Sequence, residues 1–185
     1  SIADVAVVFA RVDDGIRGFL VEAGTPGFSV REIKNKWSLR ASVTSELHFD
    51  DCRLAADAIL PGAVGLKAAL DCLTQARYGI AWGVIGAAMA CAHEALRYAA
   101  TRVQFDGPIA RHQIVQQKLV QMVAGITKGQ LLAYRLGRMK EDGKARFDHV
   151  SLAKRENVRM ALEIAREARD ILGASGITDE YPVGR

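Results

Sequence analysis

The side chains best placed to do chemistry in this sequence are cationic. Arg102 and Phe105 fall in a short connection, with Gln113 a little further on. A guanidinium there can grip a diphosphate through two parallel hydrogen bonds while the ring packs beside it. The same residues also fit an ordinary solvent-exposed loop. Arg77 stands next to Tyr78 and Gly79, ahead of Ile80, Ala81, Trp82 and Gly83. From spacing alone it reads as a helix-end arginine satisfied by a carboxylate in the bundle, although a charge in such an apolar run is costly to bury without a purpose. The turn Gly173-Ala174-Ser175-Gly176 lets backbone approach a ligand closely, and it is equally the glycine stop of a helix. As a phosphate loop its spacing is too degenerate to count.

Other reactive arrangements are absent from the sequence. His48, His93, His112 and His149 lie far apart on different elements, and no HExxH joins any two; no metal site is expected. There is no GxSxG, Walker A or complete GxGxxG. His112, beside Gln113, is open to two readings, a ligand contact or a surface histidine. Cys52, Cys72 and Cys91 are an odd number without CxxC spacing. They read as small apolar side chains in a reducing compartment. With 185 residues, half of them hydrophobic, the chain can bury one respectable core or two small ones. Its 25 Lys and Arg are scattered among 21 Asp and Glu, unlike the basic stripe of a nucleic-acid binder. The mild positive surplus suits an anionic small molecule such as a nucleotide or CoA ester. The longest nearly apolar run, Ile80 to Ala92, is too short for a bilayer and contains Gly83 and Gly86, so no membrane span is expected.

These residues must be positioned by two kinds of structure. Residues 1–63 have antiparallel β character. Val5 to Phe9 and Ile16 to Glu22 flank Asp13-Asp14-Gly15, which is hairpin chemistry. Thr25-Pro26-Gly27 is a second turn before Phe28-Ser29-Val30, and Thr44 to Asp50 alternates as a half-buried strand does. Arg40, Ser42 and Thr44 alternate in the same way, which would place them on one strand face. After Pro61-Gly62, residues 64–185 change to a helical period. Leu66, Leu70, Leu73, Ile80, Val84, Ala88, Cys91, Ala95 and Ala99 recur mostly at steps of three or four. This first helix should stop near Thr101, and Gly79, Gly83 and Gly86 would let a helix or ligand come close. A second helix is predicted from Pro108 to about Asp142, stopped by Gly143. A third, capped by Asp148, is predicted from about His149 to Leu172. The fold class is therefore α+β, an antiparallel β segment followed by an up-down bundle of long helices. Such a bundle usually has a fourth member, and the chain enters its first strand almost at once after Ser1-Ile2, so both ends are expected to continue in a longer protein.

Four stretches carry a family resemblance, in order. Lys36-Trp37-Ser38-Leu39-Arg40-Ala41-Ser42-Val43-Thr44, with Leu47, Phe49 and Leu60-Pro61, resembles the end of the middle β domain of acyl-CoA dehydrogenases. Thr74-Gln75-Ala76-Arg77-Tyr78-Gly79-Ile80-Ala81-Trp82-Gly83 resembles the first helix of their C-terminal domain, in wording closest to the glutaryl-CoA type. Arg102-Val103-Gln104-Phe105 with Pro108-Ile109-Ala110-Arg111-His112-Gln113 resembles the connection into the next helix, and Arg169-Asp170-Ile171-Leu172-Gly173-Ala174-Ser175-Gly176 the end of the third.

The resemblance implies an oxidoreductase with FAD, commonly a homotetramer, that acts on an acyl-CoA and passes electrons to an electron-transfer flavoprotein. Thr74, Gln75, Arg77, Tyr78 and Gly79 become substrate contacts. Arg102, Phe105 and Gln113 become contacts to the FAD of a neighbouring subunit, joined by Asp170, Ile171, Leu172, Gly173 and Ala174. The Lys36 to Thr44 stretch is expected to be structural, with Arg40, Ser42 and Thr44 reaching flavin or only a domain interface. Four departures from the family's wording stand out. Asp106 replaces a usual glycine and adds a negative charge near the diphosphate, leaving Gly107 to take the turn. Ala174 and Ser175 stand where Gly and Asn are frequent, and Asp170 where Gln is. In the family a glutamate removes the α-proton while the β-hydrogen leaves as hydride to the flavin, and glutaryl-CoA enzymes then decarboxylate the product to crotonyl-CoA. That glutamate is expected beyond Arg185, with Glu180 belonging to the turn before it. No catalytic residue is assigned within these 185 residues, and the chain by itself is expected to be inactive. A non-catalytic helical assembly module, or a short- or branched-chain dehydrogenase without decarboxylation, are the alternatives. The implied location is the cytoplasm in a bacterium or the mitochondrial matrix in a eukaryote.

Overall fold

The computed structural model describes residues 2–184. Ser1 and Arg185, where the chain was expected to continue in both directions, lie outside them. The architecture is α+β, and the chain divides into two compact units, residues 1–73 and 74–185.

The first unit is antiparallel sheet. Strands β1 (Val5–Val12) and β2 (Gly15–Glu22) form a hairpin in register from Val5↔Glu22 to Val12↔Gly15. Asp13 and Asp14 make its turn, and Asp14 accepts from the Arg17 guanidinium. Strands β3 (Phe28–Glu32) and β4 (Ser45–Phe49) pair separately, with the Phe28 and Phe49 rings stacked 5.1 Å apart. The alternation of Arg40, Ser42 and Thr44 does not correspond to a strand. Residues 33–44 form an irregular loop in which Asn35 and Leu39 take left-handed φ of 61° and 50°. Lys36 Nζ gathers it by donating to Leu39 O at 2.9 Å, to Thr44 Oγ1 at 2.8 Å and to Ser42 O. Pro61 and Gly62, after which the helical period was expected to begin, are still part of the sheet. They lie inside β5 (Ile59–Val64), an edge strand on β2 whose register shifts between Arg17↔Val64 and Phe19↔Ile59. Proline is tolerated at such an edge or bulge because no ladder donor is needed there.

Helix α1 (Gly65–Thr101) starts in the first unit and continues through the second, where α2 (Gln113–Glu141) and α3 (Phe147–Leu172) follow. The second helix begins five residues later than its proline predicted. Pro108 instead belongs to a short hairpin of β6 (Val103–Gln104) and β7 (Gly107–Pro108), and a single 3-10 turn at Ile109–Arg111 follows. Asp148 is not the cap of α3 but sits in its first turn, where its Oδ1 accepts the His149 backbone N–H at 3.1 Å.

Two apolar clusters hold the helices. Ala88, Ala95 and Ala99 of α1 meet Met122 of α2 and Ile164, Ala168, Ile171 and Leu172 of α3. Ala81, Leu136, Val150 and Ala153 form the second cluster. Alanine on α1 lets the helices approach, while full burial of Met122 and Leu172 stabilises by about 1.5–3 kcal/mol per side chain. Gly79, Gly83 and Gly86 are not the close-approach glycines in this chain, since nothing lies within 4 Å of where a Cβ would stand on any of them. That role falls to Gly129 on α2, whose Cβ position is 2.9 Å from Met160 Cε and 3.1 Å from Asn157 Oδ1. Taken alone, α1 is long and apolar enough to cross a bilayer, with a window of mean hydropathy 1.3; its buried residues Ala81, Ile85, Ala88, Ala95 and Ala99 form its seam in the bundle.

Candidate functional site

The connection between α1 and α2 is a built hairpin rather than a free loop. Arg102 N–H donates to Tyr98 O at 2.8 Å and Arg102 O accepts from Ile109 N–H at 2.9 Å, so the backbone of Arg102 is fixed at the hairpin base. Its side chain is exposed, and no ion pair to it occurs among the described residues. Phe105 and Asp106 form the tip with φ of 53° and 65°. Two consecutive left-handed residues define a type I′ turn, which suits the twist of a two-residue hairpin but disfavours side chains. The expectation that Gly107 takes the turn is therefore corrected, because Gly107 lies in β7 and is buried. Phe105 is 81% exposed, and its ring stands edge-on to His112 with centroids 6.1 Å apart. His112 Nε2 is buried without a hydrogen-bond partner, an unmet polar atom beside the exposed ring. Gln113 opens α2 and is exposed.

Ile171 and Leu172 at the end of α3, with Val183 of a later 3-10 turn, share an apolar cluster with Ile109 and Ala110 of the 3-10 turn that follows the hairpin. Ile171 and Leu172 are buried as whole residues, 8% and 2% exposed, and belong to the core in this structure. Gly173 takes φ 56° and ψ −132°, with open space beside its Cα. Ala174 is exposed in the 3-10 turn Gly173–Ile177. Asp170 is engaged within the bundle, because Lys118 of α2 donates to it. Lys118 Nζ also lies 2.8 Å from Glu167 Oε2, a close ionic approach without hydrogen-bond alignment. Asp170, first, and then Glu167 push the Lys118 pKa up.

The substrate candidates on α1 separate onto two faces. Gln75 Oε1 accepts from Lys140 Nζ at 2.7 Å, and the same ammonium lies 5.3 Å from the Tyr78 ring centroid, a cation–π distance. Tyr78 lines a groove of about 570 Å³ with Trp82, Tyr134, Gly137 and Arg138. Arg77 lies in a different groove, of about 520 Å³, with Lys154, Arg155, Arg159 and Ser151. Arg77 thus shares its groove with other cations and forms no ion pair with a carboxylate among the described residues. Thr74 is half-buried at the start of this segment and Gly79 is exposed. Lys140 and Arg111 escaped the reading of the sequence. Nothing in the spacing of Lys140 pointed across to α1, whereas Gly107 four residues before Arg111 was a usable sign.

The donor set at the hairpin fits a flavin dinucleotide. Arg102 supplies a free cation for a diphosphate, Phe105 an exposed ring, and His112 an unsatisfied nitrogen. The negative end of the α3 dipole at Gly173 favours hydroxyl and amino donors over phosphate oxygens.

The chain belongs to the acyl-CoA dehydrogenase family: residues 63–185 match its C-terminal domain and residues 1–52 its middle domain. Members of this family work with FAD. The chain is 35% identical to the human mitochondrial short-chain specific acyl-CoA dehydrogenase over 99% of its own length and 46% of that protein's. It is 58% identical to a glutaryl-CoA dehydrogenase from Mycobacterium smegmatis of known structure, with a TM-score of 0.97 over 100% of this chain and 48% of that one. A second M. smegmatis glutaryl-CoA dehydrogenase, solved in complex with FADH2, is 52% identical with a TM-score of 0.96 over 98% of this chain and 47% of that one. The chain spans about half the length of the relatives it matches.

Proposed function

We propose that the protein containing this chain oxidises and decarboxylates glutaryl-CoA to crotonyl-CoA, as a homotetramer that passes electrons to an electron-transfer flavoprotein. The observation that carries the substrate choice is the 58% identity to a glutaryl-CoA dehydrogenase, against 35% to a short-chain enzyme, each over essentially the whole chain. FAD, when bound, supplies the acceptor for the substrate's hydride. This chain's part is to hold and orient. Arg102 pairs with the diphosphate of a neighbour's FAD while Phe105 packs beside the nucleotide and Gln113 and His112 offer polar contacts. The backbone at Gly173 and Ala174 meets hydroxyl or amino groups of the same cofactor, its approach eased by the open face of Gly173.

Thr74, Gln75, Arg77, Tyr78 and Gly79 of α1 are the proposed contacts to acyl-CoA, with Tyr78 and Arg77 reaching it from separate grooves. Arg77 and Lys154, in a groove with Arg155 and Arg159 that already pair with Glu156, set a positive potential that favours the anionic phosphates of CoA. Tyr78 is braced by Lys140. No residue of this chain is assigned to proton abstraction, and residues 1–185 by themselves are expected to give no acyl-CoA-dependent dye reduction. The cytoplasm of a bacterium, or the matrix of a mitochondrion, is the compartment this reading implies.

Product analysis on the full-length protein is the test. Glutaryl-CoA should yield crotonyl-CoA and one equivalent of carbon dioxide. Oxidation of butyryl-CoA with no carbon dioxide from glutaryl-CoA would instead favour a short-chain dehydrogenase, the reading supported by the human relative. A full-length protein purified without flavin absorbance, and taking none up, would leave a non-catalytic assembly module.

A further inference from the structure

We propose that Arg111 is a positioning residue for the flavin nucleotide, its guanidinium holding the Phe105-Asp106 turn in the left-handed conformation that presents Arg102 and Phe105. The inference rests on the reading of this hairpin as an FAD contact and adds a residue to it. Phe105 and Asp106 both stand at positive φ, where a Cβ crowds the following carbonyl. Neither is glycine, so the turn needs support from outside its own backbone. Arg111 provides it. Nη1 donates to Asp106 O at 3.2 Å and Nη2 donates to Phe105 O, so both carbonyls of the strained pair end on one guanidinium.

Gly107 belongs to the same device. It has no positive φ to explain it, but a Cβ there would lie 2.5 Å from Arg111 Nη1, 2.9 Å from Cζ and 3.2 Å from Cδ. The glycine makes room for the arginine, and the arginine does for Asp106 what glycine at 106 would do through backbone freedom. The geometry is transmitted to the base of the hairpin through the pairs Gln104↔Gly107 and Val103↔Pro108 and the hydrogen bond from Ile109 N to Arg102 O. No carboxylate among the described residues forms an ion pair with Arg111.

The experiment uses the full-length flavoprotein, stripped of flavin and titrated with FAD, with melting temperature followed in parallel. Arg111→Ala should weaken FAD binding by about tenfold, the scale of one or two lost charge-assisted hydrogen bonds. Adding Asp106→Gly should restore most of that affinity, because glycine holds the left-handed turn unaided. Arg111→Ala together with Asp106→Ala should not restore it, since alanine removes the charge but not the strain. An unchanged FAD affinity in Arg111→Ala, while Arg102→Ala loses flavin, overturns the inference alone. Equal rescue by Asp106→Ala and Asp106→Gly overturns the positioning role in favour of charge. Retention of flavin by Arg102→Ala overturns the hairpin reading itself, and this inference with it.

Discussion

Arg102 shows how a residue can be legible in the sequence while its setting is not. A guanidinium in a short connection ahead of a helix is visible from type and spacing, and the structure leaves it exposed on a fixed backbone. Arg102→Ala should therefore lower FAD affinity by tenfold or more, about 1.5–3 kcal/mol for hydrogen bonds to a charged group, with little change in melting temperature. Titration of flavin-free protein separates these two readouts. The turn beside it is not legible in the same way, because glycine is the default residue for positive φ and Gly107 stands next to it. In the structure Phe105 and Asp106 carry the positive φ, at a cost of order 1–2 kcal/mol each. It follows that Asp106→Gly should raise the stability of the full-length protein by about 1 kcal/mol, seen as a higher melting temperature. Gly107→Ala should lower it, since the new methyl falls on the Arg111 guanidinium. A higher melting temperature in Gly107→Ala would mean that the guanidinium does not occupy that space.

At the scale of elements, periodicity located the three helices and missed how they are locked. The lock is Asn157, 1% exposed in α3. Its Nδ2 donates to Ala81 O of α1 at 2.8 Å and to Gly129 O of α2 at 3.3 Å. A polar side chain on an otherwise apolar seam gives no sign in a sequence of which carbonyls it will reach. Asn157→Ala removes both bonds and opens a cavity, and should destabilise by about 2–3 kcal/mol in chemical unfolding. A loss under 0.5 kcal/mol would show that the bridge contributes little. Element boundaries failed for a related reason, because one residue type serves two purposes. Pro108 was a good first-turn residue but is used in β7, and Arg40, Ser42 and Thr44 alternate like a strand while Lys36 ties their segment into a loop. Charge at the helix ends adds a pH dependence. The hydrogen bond from Arg146, first of all, lowers the Asp148 pKa from 3.8 to about 2. A depressed carboxylate contributes stability that is complete above 3.8 and is lost as pH falls through about 2. Lys118 has the opposite sign: its raised pKa contributes stability that is complete below 10.5 and lost as pH rises through the raised value. Lys118→Met should flatten the alkaline limb of the stability curve, and Asp148→Asn the acid limb. Unchanged limbs in both variants would remove these pairs from the pH dependence.

At the scale of the whole molecule, the two halves announced themselves by a change of period, from alternation before Pro61-Gly62 to steps of three and four after it. Which surfaces stay uncovered is a property of the assembled chain, and a single sequence does not reveal it. Val120, Val123, Leu131 and Tyr134 share one face of α2, with Thr127 between them, and each is more than 60% exposed. Their spacing is that of a helix seam, while the opposite face already buries Met122, Ala133 and Leu136. An apolar stripe left outward on a helix whose other face is satisfied is expected to mark an interaction surface. Within the homotetramer proposed above, this stripe is the natural place for another helix to pack. Introducing charge there should act on assembly before it acts on the subunit, because neither Val123 nor Leu131 contributes to the buried clusters. The double variant Val123→Lys with Leu131→Lys should therefore shift the full-length protein to smaller species in sedimentation equilibrium while far-UV circular dichroism keeps its helical signal. If FAD is held between subunits, flavin content should fall in step with the loss of assembly. A variant that remains fully assembled would place the stripe outside the oligomer interface. One that dissociates yet keeps its flavin would show that each subunit holds its own cofactor unaided.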